Sequence, residues 1–95
     1  MANRRDLKKD IDYLIYEVVS DCFTLMSVKQ DDNGEEITAI VGDAVNLRNE
    51  LFARVNNPDG KDNPSIVKAH YSKIRKDLIE GIDKLFGRLS AIAGK

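Results

Sequence analysis

A chain of 95 residues and 10.7 kDa has room for one domain. Its 42% hydrophobic and 33% charged residues make an ordinary soluble composition, which excludes collagen, a disulfide scaffold and a disordered tail. Fifteen basic against sixteen acidic side chains leave a net charge of -1, without the positive excess of a dedicated nucleic-acid binder.

Three long periodic segments are separated by two polar breaks. The first segment covers about 4–28. Leu7, Ile11, Leu14, Val18, Cys22 and Leu25 recur at spacings of three and four, which is one face of a helix. Ile15, Val19 and Met26 widen that face. Tyr16 and Phe23 widen it further, to roughly 200°, more than one neighbouring helix needs. The second segment covers about 35–56, with Ile37, Ile40, Val41, Ala44, Val45, Leu47, Leu51, Phe52 and Val55 as its apolar positions. Asn33 suits an N-cap, and Glu35 and Glu36 fall where the helix dipole favours acids. The third segment covers about 64–92, with Val67, Tyr71, Ile74, Leu78, Ile82, Leu85, Leu89 and Ile92 on an almost heptad beat. Asn63 followed by Pro64 is a start signal, and Gly94 ends the helix. Alternation of period two is absent. The expected fold is therefore all-α, an antiparallel up-down-up three-helix bundle with long helices forming a single domain over 1–95.

The breaks, 29–34 and 56–64, carry the glycines, prolines and asparagines of turns. A calcium loop needs glycine sixth and a bidentate Glu twelfth. With Gly34 sixth the twelfth residue is Ile40, and with Gly60 sixth it is Ile66, so both are turns. One His and one Cys cannot make a zinc site within the chain, and no cofactor-binding motif of the Gly-x-Gly-x-x-Gly or phosphate-loop kind is present. No catalytic residue is assigned. Cys22 falls near the centre of an apolar face and reads as core, while His70 reads as a surface residue. The opening residues do not read as a secretory leader, and the apolar runs fall short of the roughly 20 residues of a membrane span. A cytoplasmic protein that does not enter the membrane is expected, with no cofactor.

Arg48 projects into the apolar arc of the second segment, where an unpaired cation would be costly. It must snorkel, meet a ligand or partner, or pair with Asp12, Glu17 or Asp21 of the first segment. The surplus apolar positions Tyr16, Val19 and Phe23, with Ile79 and Phe86 on the third segment, are edges of the core or a partner surface. Together with Arg48 they form the candidate interface of a homodimer. Gly81 costs about 1 kcal/mol relative to alanine and permits close helix approach.

Charge is uneven along the chain. Residues 61–95 carry eight basic and four acidic groups, and 29–60 carry three and seven. The alternative reading is an RNA- or ribosome-associated protein using Lys73, Lys76, Lys84 and Arg88 with the opening cluster Arg4, Arg5, Lys8 and Lys9. Opposite charges four residues apart, such as Lys73 with Asp77 and Lys76 with Glu80, answer part of that charge. The residues 3–11, Asn-Arg-Arg-Asp-Leu-Lys-Lys-Asp-Ile, and the stretch Tyr71-x-x-Ile74-Arg75-x-Asp77-Leu78 resemble a family of short uncharacterised bacterial helical proteins. That resemblance implies a small all-α protein and brings no activity, cofactor or catalytic residue. The leading expectation is a non-catalytic interaction or scaffold module that self-associates.

Overall fold

The computed structural model describes residues 4–28, 34–57 and 63–94. Three helices follow in order: α1 (Arg4–Val28), α2 (Gly34–Asn56) and α3 (Pro64–Ala93). All three pairs of helices touch, giving the all-α three-helix bundle. Long helices and short connections make a rod of 52 × 18 × 17 Å.

Each helix buries one stripe of its surface. Leu7, Ile11, Ile15, Val18 and Cys22 are buried on α1; Ile37, Ile40, Ala44, Leu51 and Val55 on α2; and Ile74, Leu78, Ile82, Leu85, Leu89 and Ile92 on α3. Spacings of three, four and seven place each set on one side of a 3.6-residue helix. Among the described residues no charged or polar side chain is buried with them. Burying one such aliphatic side chain contributes roughly 1.5–3 kcal/mol, so sixteen core residues are the dominant stabilising term. The stripe on α1 is narrower than its sequence suggests. Val19, Leu25 and Met26 pack at its edges, but Tyr16 and Phe23 remain 69% and 58% exposed.

The ends of α3 follow from local chemistry. Asn63 is extended (φ -121°, ψ 105°), and its Oδ1 accepts from the N–H groups of Ser65 and Ile66 at 3.0 and 3.3 Å. Pro64 occupies the first helical position, where its missing N–H costs nothing. Gly94 closes the helix by donating its N–H to the Ser90 carbonyl at 2.9 Å. Asn33, expected to cap α2, lies outside the described residues.

Polar contacts fix the directions of the helices. Lys8 lies over the Phe52 ring, and Asp12 meets Arg48; numbers rise on α1 as they fall on α2, so the two are antiparallel. Arg54 with Asp77 and Asp43 with Arg88 show the same for α2 and α3. Consequently α1 and α3 run parallel, bridged near one end by Asp10 and Arg75 at 2.8 Å.

Gly81 lies where α3 packs closely on Leu47 of α2: a Cβ there would stand 2.7 Å from Leu47 Cδ2, whereas one at Gly42 or Gly87 would meet nothing within 4 Å. Urea unfolding should therefore show Gly42→Ala and Gly87→Ala each more stable by about 1 kcal/mol, the helix-propensity gain. Gly81→Ala should show little of that gain, because Leu47 must move, and should recover it in a Leu47→Ala background. Equal gains at all three glycines would contradict the close approach.

Candidate functional site

The residues singled out from the sequence divide between two flanks of α1. Asp12 faces α2 through Arg48, and Asp10 faces α3 through Arg75. Tyr16 and Phe23 follow Asp12 by four and eleven residues, so they continue the α2 flank. Carrying the antiparallel register onward from Asp12 and Arg48 sets Tyr16 level with Ala44, one residue from Val45, and Val19 level with Val41. Val45 is 42% exposed, and Val19, Val41 and Phe52 are partly buried against the core. These side chains form an apolar face shared by α1 and α2.

Arg48 closes one end of that face. Its Nε donates to Asp12 Oδ1 at 2.7 Å, its Nη1 donates to Asn49 Oδ1 at 3.3 Å, and its guanidinium lies 4.2 Å from the centroid of the Phe52 ring. The apolar stem crosses the stripe while the charge reaches half-exposed carboxylate, so no buried cation results. Of the three acids available from the sequence, Asp12 is the partner, and Glu17 and Asp21 are not.

Ile79 and Phe86 lie on the other flank, in the groove between α1 and α3. Ile79 is 51% exposed and lines a shallow cleft with Asp10, Tyr13, Leu14, Arg75 and Leu78. Phe86 is half-buried and lines a larger one, about 420 Å³, with Asp21, Leu25, Val28 and Leu89 among its walls. The structure thus brings Tyr16, Val19, Phe23 and Arg48 together and sets Ile79 and Phe86 apart from them. Periodicity identifies the edges of each stripe but not which neighbour lies beyond each edge. Tyr13, 64% exposed beside Ile79, was missed because it projects far from the centre of the stripe on α1.

The basic residues are divided between α1 and α3, and part of their charge is answered. Arg88 is held by Asp43 at 2.6 Å, Lys8 rests 5.6 Å from the Phe52 centroid, and Arg4, Arg5 and Lys9 are exposed on the first turns of α1. Lys73, Lys76 and Lys84 are exposed along the outer side of α3. Asp77 turns from Lys73 to Arg54 of α2, at 2.8 Å.

His70 is not a free surface residue. It is half-buried, with Nε2 2.7 Å from the Arg54 carbonyl, which lies in the last turn of α2 and has no partner within that helix. An Nε2–H donor thus caps α2 from the side of α3. Cys22 is fully buried, and burial pushes its thiol above the ordinary value of 9.0; Asp21 adds to the rise and Arg88 opposes it. It is a core residue with a suppressed thiolate. Among the described residues no group of three His, Cys, Asp or Glu side chains could hold a metal ion, and no helix is long and apolar enough to cross a membrane.

Fold and surfaces together define a three-helix bundle with two apolar flanks. No protein-family model matches the chain, and no curated protein or solved structure matches it either.

Two outcomes follow. Arg48→Met should stay within about 1 kcal/mol of the parent in urea unfolding, because a half-exposed pair contributes little and the remaining Asp12 stays hydrated; a loss of several kcal/mol would show the pair to be structural cement. Cys22 gives a pH dependence. Unfolding releases its proton above pH 9.0, before the folded thiol can ionise. The stability tied to this thiol is whole below that pH and is lost as pH rises beyond it. Cys22→Ala should remove that part of the alkaline slope, and iodoacetamide should label the parent only as fast as it unfolds.

Proposed function

We propose that the protein is a non-catalytic helical interaction module that pairs with itself through the apolar face of α1 and α2. The observation that carries this reading is the exposure of Tyr16 and Phe23, 69% and 58%, on a helix whose core stripe is already complete. Neither ring is needed to close the interior, and both lie on the flank where Val45 and Val41 extend the apolar surface. We read the setting as a bacterial cytoplasm, on the strength of the resemblance of the sequence and its lone thiol.

Magnitudes favour a weak dimer. Covering the exposed part of each ring removes on the order of 100 Å² from water, roughly 2–3 kcal/mol. Four rings in a two-fold pair give roughly 10 kcal/mol, within the range of about 4–15 kcal/mol that association costs. The flanking valines add to this, and micromolar affinity, about 8 kcal/mol net, requires the low end of that cost.

Sedimentation at tens of micromolar should give twice 10.7 kDa for the parent. Tyr16→Lys with Phe23→Lys should give a monomer whose unfolding midpoint moves little, since exposed positions change stability by roughly 0.5 kcal/mol or less. A parent that stays monomeric at high concentration rejects the reading. Salt-sensitive retention on RNA would favour the basic residues of α3 and the N-terminus instead.

A further inference from the structure

The groove between α1 and α3 repeats itself. Moving eleven residues along both helices converts each residue that lines the first cleft into one that lines the second. Eleven residues are three helical turns, so both clefts lie on one side of the bundle, about 16 Å apart. The floor is the same in each: Leu14 and Leu78 in the first, Leu25 and Leu89 in the second. The acid is also the same, Asp10 in the first and Asp21 in the second.

The cation is not repeated. In the first cleft Arg75 donates to Asp10 at 2.8 Å; in the second, Phe86 occupies the equivalent position. Asp21 therefore makes no ion pair among the described residues. Its surroundings add negative potential. The parallel C-termini of α1 and α3 end near this cleft with no basic residue in either last turn, and antiparallel α2 begins at the same pole with Glu35 and Glu36, where the cation of α3, Arg88, is already held by Asp43. Lys29 and Lys95, beyond those C-termini, lie outside the described residues.

We infer that this groove is a docking site for a basic amphipathic helix of a partner protein. An arginine of the partner enters the second cleft, where it takes the place beside Asp21 that Arg75 holds beside Asp10. Its guanidinium meets the carboxylate and stacks on the Phe86 ring, two favourable contacts for one planar cation. An apolar residue three turns away on the same side of the partner helix covers Tyr13 and Ile79, which are 64% and 51% exposed. The first cleft is already neutral, so it calls for an apolar side chain; the second calls for a cation.

The test is fluorescence anisotropy at low salt with the full chain and a labelled amphipathic peptide helix of about 18 residues, carrying one arginine and one leucine eleven residues apart, in both orders along the peptide. At least one order should bind saturably, and replacing its arginine with glutamine should weaken binding about tenfold. Asp21→Asn should weaken it to the same extent, while Glu80→Gln on the outer side of α3 should leave it unchanged. Phe86→Arg rebuilds the arrangement of the first cleft within the chain and should abolish binding with helicity retained by circular dichroism. Phe86→Leu, which leaves Asp21 unanswered, should retain part of it. No saturable binding, equal binding of the glutamine peptide, or indifference to Asp21→Asn and Phe86→Arg would overturn the proposal. The groove is on the flank opposite Tyr16 and Phe23, so sedimentation and anisotropy test the two surfaces separately.

Discussion

Burial of a single aliphatic stripe on each of three helices is the constraint from which the remaining features follow. With no polar side chain buried among the described residues, the interior sets how near the helices lie but says little about which slides against which. Side chains at the seams supply that information. Asp12 with Arg48, Arg54 with Asp77, Asp43 with Arg88 and Asp10 with Arg75 bridge every pair of helices. Each is partly hydrated and contributes little stability, but a shift of one turn would break several together. Gly81 against Leu47 adds a steric mark at the α2–α3 seam.

Much of this architecture is legible in the sequence. Leu7, Ile11, Val18 and Cys22 announce the buried side of α1, and Ile74 to Ile92 that of α3, because a helix facing one core must repeat its apolar residues every three or four positions. Asn63 and Pro64 locate the start of α3 through the geometry of a single cap. Arg48 in an apolar arc demands an acid, and Asp12 was among the three on offer.

The surfaces were less legible, for a physical reason. A helical projection shows how far Tyr16 or Ile79 lies from the centre of its own stripe, but the neighbour beyond depends on the handedness of the bundle, which no local pattern encodes. Tyr16 and Phe23 therefore fall beside α2 while Ile79 and Phe86 fall between α1 and α3. His70 bonds to a carbonyl of another helix, a relation invisible along the chain. The doubled groove did leave a trace: Leu14 and Leu25, like Leu78 and Leu89, are eleven apart, with Asp10 and Asp21 keeping the same interval.

The parallel course of α1 and α3 has a consequence for how the chain can be joined to other things. Arg4 begins at one tip of a rod 52 Å long, and Ala93 ends near the other. Splicing one tip to the other to make a circular permutant would need a linker of roughly 15 extended residues. Tandem copies, by contrast, would string out head to tail like beads, and attachments at the two tips would be held at opposite extremes of the molecule.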